Sequence, residues 1–326
     1  MNEESLISHL RKPQAVRETP KRFAPYHFIT SLFKPTPWAI PQKARPVTPS
    51  VQTLSWQLGI PVEVLLPFSG RQRDARYHYR ALKLSKPNGG TRQIYAPSEP
   101  LKALQRTVLR QYLVNLPLHD AATGFRRGMS IADNARRHLG QAVVATADIT
   151  NFFDHTSTRR VREYFRRQCW DAHASAILTG LCTFRGALPQ GAPTSPTLSN
   201  GVNVPLDKAL SLLARKSGAR YTRYGDDLTF SWATARRMPH TMQRGVQRVL
   251  LSFGYTLNRH KGWRVWRLHR GEEAYITGVV LGCDGRLHPQ PTIKTAMRQL
   301  RHQDHDAHTQ AQLRGYEGFV NMLEKK

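Results

Sequence analysis

The sequence predicts an α+β fold, in which short antiparallel strand pairs alternate with amphipathic helices. Three observations predict it. Residues 219–231 read A-R-Y-T-R-Y-G-D-D-L-T-F-S, where aromatic, β-branched and apolar residues flank a Gly-Asp-Asp turn, a hairpin signal. Upstream, Gln141 to Asp148 form a short β-rich run that ends in an acid. Between about Glu99 and Leu116, Leu101, Leu104, Val108 and Tyr112 recur on one helical stripe.

Taken in order, residues 1–50 are rich in proline and basic residues, as in Lys34-Pro35-Thr36-Pro37, and proline at that spacing defeats both helix and sheet. They form an extension, either a solvated tail or an arm along a partner. Leu54, Leu58, Ile60, Val62, Leu65 and Leu66 predict two short helices broken at Gly59-Ile60-Pro61. Lys83 to Ile94 predict a basic hairpin turning at Asn88-Gly89-Gly90, followed by a helix capped by Ser98. Ser130 and Asp133 predict a capping box, with Asn134 and His138 one turn apart on the helix that follows. Arg159, Arg160, Arg162, Arg166 and Arg167 crowd one helix, as a solvated face or as a track for phosphates.

Leu188-Pro189-Gln190-Gly191 opens a loop that runs into a helix capped by Thr194 or Ser195, with Pro196 in its first turn. Gly201 and Pro205 interrupt that helix. From Pro291 on, Ile293, Met297, Leu300, Leu313, Tyr316, Phe319 and Met322 predict a small helical unit. His302, His305 and His308 lie in a polar stretch and are assigned no site.

Charge and cysteine usage bound the function. Lys and Arg number 49 against 22 Asp and Glu, a formal +27, which points to a polyanionic partner. The basic residues are spread through structured segments and no apolar run reaches membrane-spanning length, so the expected polyanion is nucleic acid and no membrane is expected. Cys169, Cys182 and Cys283 show no CxxC spacing, so neither zinc nor disulfides are indicated, and a cytoplasmic setting is expected. The N-terminus carries no apolar signal core.

The acids carry the chemistry. Two adjacent carboxylates at a turn tip repel each other, and a fold keeps them there readily when a cation sits on them. Asp148 with Asp226 and Asp227 supplies hard oxygen ligands for two Mg²⁺ ions, which sit about 3.5–4 Å apart when they clamp an in-line phosphoryl displacement.

The order strand-acid-Phe152-Phe153, then the LPQG loop and helix, then the Tyr224-Gly225-Asp226-Asp227 hairpin resembles the reverse transcriptases. Gly124-Phe125 with Gly128, Ser130 and Ile131, the pattern Asn134-Ala135-x-x-His138 and Ile276-Thr277-Gly278 resemble the retron enzymes among them. The resemblance covers residues 50 to 326. It implies a right-hand polymerase, with fingers and palm built on an antiparallel sheet in residues 51–270 and a small helical thumb in 271–326.

It implies that Asp148, Asp226 and Asp227 hold two Mg²⁺ ions, and that Phe153 is a steric gate against a ribose 2′-OH. It places Gln190 beside the incoming nucleotide, Tyr224 beside the primer terminus, and Arg92, Lys86 and Lys261 near triphosphate. Asn134, His138, Thr277 and Gly278 are family motif positions open to RNA contact; the first two equally suit hydrogen bonding within a core turn. A nuclease of HNH type would need a second histidine at metal-binding spacing, which is lacking.

The implied partners are dNTPs, a cognate noncoding RNA serving as template and primer, its branched DNA product, an effector protein in phage defence, and a host RNase H. An intron-type reverse transcriptase and a non-catalytic RNA-binding scaffold on a polymerase fold are the alternatives.

Overall fold

The computed structural model describes residues 49–70, 76–85, 89, 91–234, 237–302 and 306–324. The predicted N-terminal extension, Lys86 and His305 therefore fall outside the described residues, Pro49 and Ser50 excepted.

The chain opens with α1 (Val51–Leu58) and α2 (Val62–Leu65), broken as predicted by Gly59 in the left-handed region and by Pro61. The hairpin β1 (Tyr79–Ser85) and β2 (Thr91–Pro97) follows, then α3 (Glu99–Gln111). Ser98 does not cap α3 through its side chain; its hydroxyl instead donates to the Arg76 carbonyl at 2.7 Å, tying the helix start to the chain ahead of β1. Leu101, Leu104, Val108 and Tyr112 are buried as the stripe required. The helix stops at Gln111, and a 3₁₀ turn covers Leu113–Asn115.

The capping box at Ser130 and Asp133 opens α4 (Ile131–Arg136). This helix is shorter than expected, so His138 lies in the turn after it, not one turn along its face. Next come β3 (Val143–Asp148), α5 (Thr158–Arg167), α6 (Ala172–Cys182), α7 (Ser195–Val202) and α8 (Val204–Lys216). The interruption predicted from Gly201 and Pro205 falls at Asn203 between α7 and α8. Thr194 and Ser195 make no cap bond to α7; the Ser195 hydroxyl donates to Pro189 O at 2.7 Å and closes the loop on itself.

Strands β4 (Ala219–Tyr224) and β5 (Asp227–Trp232) form the predicted hairpin, followed by α9 (His240–Ser252) and β6 (Arg264–Arg267). These make an antiparallel sheet in the order β4-β5-β3-β6. Alternation along β3 decides what covers each face. Val143 and Ala145 enter a core with Leu206, Leu210, Phe230, Val246 and Leu250, whereas Val144 faces Ala132, Ala135, Ile276 and Leu281. Helices α8 and α9 thus cover one face and α4 with the C-terminal strands the other.

Those strands, β7 (Ala274–Ile276), β8 (Val279–Leu281) and β9 (Leu287–Pro289), form a small sheet ahead of α10 (Pro291–Arg301) and α11 (Ala307–Glu324). The terminal unit is therefore not wholly helical from residue 271, because its first part packs against α4 and the back of β3. A third core joins α1, α3, α5 and α6 around Leu54, Leu101, Phe165 and Ile177. Among the described residues, no helix is long and apolar enough to cross a membrane.

Candidate active site

Strand register builds the site. In the β3–β5 pair, Asp148 lies directly opposite Asp227, while Asp226 occupies the turn between β4 and β5. A two-residue hairpin turn needs a left-handed residue, and Gly225 supplies it at φ 64°. The Asp226 carbonyl accepts from Ile149 N at 2.9 Å, which locks the turn to the end of β3.

The electrostatics match three acids crowded together. Burial raises the Asp227 pKa most, followed by repulsion from Asp226 and Asp148, and together they push it up to about 7. Asp226 is raised as well, by burial and then by Asp148. Lys261 and Arg92 act against that rise at Asp226, and Lys261 and Arg264 at Asp227. A divalent cation would remove the same repulsion, so the donor set suits hard oxygen coordination. Among the described residues, no three acidic, histidine or cysteine side chains close into a ready-made metal cage. Lys261 Nζ sits 2.5 Å from Asp148 Oδ2.

Asp148 is fixed twice by Asn258, whose backbone N–H donates to the Asp148 carbonyl at 2.8 Å and whose Nδ2 donates to Oδ1 at 3.2 Å. The Asn258 Oδ1 accepts from His260 N and Lys261 N, which orients its amide nitrogen toward Asp148. Sequence reasoning passed over Asn258 while naming its neighbour Lys261; the Asn-x-x-Lys spacing was the available signal.

The remaining expected residues surround this centre to different degrees. Arg92 is exposed on β2 and lies within electrostatic reach of Asp226. Gln190 hydrogen-bonds Asp154, and its carbonyl accepts from Tyr95 N at 2.7 Å, joining the loop to β2. Gly191 makes that approach possible: at φ 119°, a Cβ there would lie 2.7 Å from Ile94 Cγ2 and 2.8 Å from Tyr95 O. Phe153 is half-buried, its ring 5.7 Å from that of Phe152 and 6.1 Å from that of Phe125. Tyr224 also packs on Phe125, at 6.1 Å.

Asn134 and His138 are not on the surface. Both are fully buried, and their side chains make hydrogen bonds within the protein. Asn134 Oδ1 accepts from Thr123 Oγ1 at 2.8 Å, and its Nδ2 donates to Thr277 Oγ1 at 3.2 Å, so the Asn-Ala-x-x-His and Ile-Thr-Gly segments meet. His138 bridges Ser231 on β5 and Thr222 on β4. Thr277, at φ 46°, and the exposed Gly278 remain reachable at the turn between β7 and β8.

A second missed feature lies behind the acids. Arg223, fully buried, pairs with the equally buried Asp207: Nε reaches Oδ1 at 2.8 Å and Nη2 reaches Oδ2 at 2.6 Å. Its Nη1 donates to the Gly225 carbonyl at 3.0 Å, so the ion pair braces the acidic turn. A cation two residues after the core residue Tyr221, hence on the same strand face, with an acid on the preceding helix, was the sequence signal.

A right-hand polymerase palm, with acids on two adjoining strands and a basic fingers hairpin above, is the class this fold and site define. Residues 84–269 match the family profile described as reverse transcriptase (RNA-dependent DNA polymerase), and the chain belongs to that family. Its relatives include the Retron Mx162 reverse transcriptase of Myxococcus xanthus, 36% identical over 84% of this chain and 64% of the relative. The Retron Mx65 enzyme of the same organism is 34% identical over 85% of this chain and 69% of the relative. The Retron Ec86 enzyme of Escherichia coli is 36% identical over 51% of this chain and 52% of that protein. The chain is thus of retron type, and it spans between about half and 69% of the length of these relatives.

Proposed function

We propose that the protein is an RNA-directed DNA polymerase that copies a cognate structured noncoding RNA into branched, multicopy single-stranded DNA. The observation that carries this reading is the opposed pair Asp148 and Asp227 with Asp226 in the adjoining turn, faced by Lys261 and Arg92. Acids alone would suit many metal sites. Acids beside cations, under a basic hairpin, suit a reaction whose substrate brings its own polyphosphate.

Two Mg²⁺ ions held by Asp148, Asp226 and Asp227 would activate the primer hydroxyl and neutralise the leaving pyrophosphate. The chain's own residues do the rest. Arg92 and Lys261 bind phosphate, Gln190 borders the nucleotide from a loop fixed to β2, Tyr224 lies beside the primer end, and the Phe153 ring excludes a ribose 2′-OH. In this reading residues 51–270 are fingers and palm and the thumb lies within 271–326. The dNTPs, the RNA and its DNA product are the direct partners, in the cytoplasm. Template removal falls to a host RNase H, and an effector protein joins in antiphage defence.

Replacing Asp226 and Asp227 together by Ala tests the chemistry: DNA synthesis is abolished while RNA binding is largely kept. Synthesis surviving that change would refute the assignment. Purification from the host followed by RNase digestion tests the product, which should be a discrete small single-stranded DNA. Its absence would favour an intron-type enzyme.

A further inference from the structure

Phe125 stands apart from every other aromatic residue near the acids. It is a large ring left 42% exposed, and its backbone is left-handed at φ 57°. That conformation is uncommon for any residue with a Cβ and costly for a bulky one, so something must hold it. The holding groups are plain. Thr123 N donates to the Arg223 carbonyl at 2.9 Å, and Asn200 Nδ2 donates to Gly124 O at 2.7 Å. Gly124 lies flush on the acidic turn, because a Cβ there would come within 2.8 Å of Gly225 N.

The result is a ring laid across the catalytic turn. A Cβ on Gly225 would meet the Phe125 ring at 3.2 Å, and the same ring packs against Tyr224 on one side and Phe153 on the other. Backbone strain kept beside a reacting centre points to use.

We propose that Phe125 is a specificity-determining residue: it forms the second wall of the sugar pocket and holds the Phe153 ring at the distance that rejects ribonucleotides. This rests on Phe153 acting as the gate. Phe153 packs on Phe125 and Phe152, and only Phe152 is buried in the core. Without Phe125, one of its two aromatic supports goes and the gate ring gains room to swing away from a 2′-OH.

The test is single-nucleotide extension of a DNA primer on an RNA template, comparing kcat/KM for dATP and ATP in the full chain. An aromatic pair contributes about 0.5–1.5 kcal/mol, equivalent to roughly 2- to 13-fold. Phe125→Ala should lower the dATP/ATP ratio by about that factor, chiefly through faster ATP incorporation, while Phe125→Tyr should keep it. Phe125→Leu preserves most apolar volume and should fall between, giving a readable variant if Ala folds poorly. Phe153→Ala run in parallel separates the two readings. If it relaxes selection and Phe125→Ala does not, the role given to Phe125 is overturned while the gate stands. If neither variant relaxes selection, the gate reading fails and this inference fails with it.

Discussion

Acid should destabilise this fold through one buried imidazole. His138 is fully buried between two strands, with Nδ1 2.7 Å from Ser231 Oγ and Nε2 2.8 Å from Thr222 Oγ1. A neutral ring donates from one nitrogen and accepts at the other, satisfying both hydroxyls; a protonated ring cannot accept, and one hydroxyl loses its acceptor. Burial above all, then the charges of Arg220 and Arg137, hold the His138 pKa down at about 3 from an ordinary 6.5. The unfolded chain thus takes up a proton near pH 6.5 that the folded chain refuses until about pH 3. The neutral ring's contribution is complete above that upper value and is lost as pH falls through the window. Each pH unit inside it is worth about 1.4 kcal/mol, so acidifying from pH 7 to pH 5 should remove roughly 2 kcal/mol. Other groups titrate over the same range, so the measurement is a difference: urea unfolding of wild type and His138→Gln at several pH values. The wild type should lose about 2 kcal/mol more than the variant between pH 7 and pH 5. Parallel pH dependence in the two proteins would refute the buried-neutral assignment.

Asp207→Ala strands Arg223 as an unpaired buried cation and should cost about 3–5 kcal/mol in denaturant unfolding; a loss below about 1 kcal/mol would mean the pair is not enclosed. Asp227 has the opposite sign to His138. Its raised folded pKa means that, without divalent ions, stability falls as pH rises from the carboxylate range toward about 7. Asp227→Asn should therefore raise the thermal midpoint in chelator at pH 7.5, and adding Mg²⁺ should stabilise wild type more than the variant. Gly191→Ala should cost about 1–3 kcal/mol through overpacking against Ile94 and Tyr95, seen as a lower thermal midpoint. Affinity for RNA should fall steeply with salt, since phosphate contacts release counterions; a flat response would disconnect the +27 charge from RNA.

Much of the site was legible because its signals are local. The Tyr-Gly-Asp-Asp turn and the acid ending β3 depend on alternation and turn chemistry within a few residues, and strand register then brought Asp148 against Asp227. The Ser130–Asp133 box was equally local and correct. What sequence could not show was set by contacts between distant segments. Ser98 looked like a cap, yet its hydroxyl found the Arg76 carbonyl instead. His138 looked like part of a helix face, yet the turn after Arg136 delivered it to hydroxyls on β4 and β5. Asp207 and Arg223 lie on separate elements, and only folding encloses them as a pair. Phe125 read as a family motif residue, and only its left-handed backbone revealed where the ring goes.

The placement of β6 beside β3 has a consequence for folding. Asp148 meets Lys261 across 113 positions of sequence, and the strand that follows Lys261 pairs with β3. Contacts so far apart in sequence carry a loop-closure cost. A chain folded only through the Tyr224–Asp227 hairpin would hold three crowded carboxylates with no Lys261 or Asn258 to steady them. The electrostatic balance of the three acids therefore depends on the last strand of the sheet as well as on the hairpin that carries two of them.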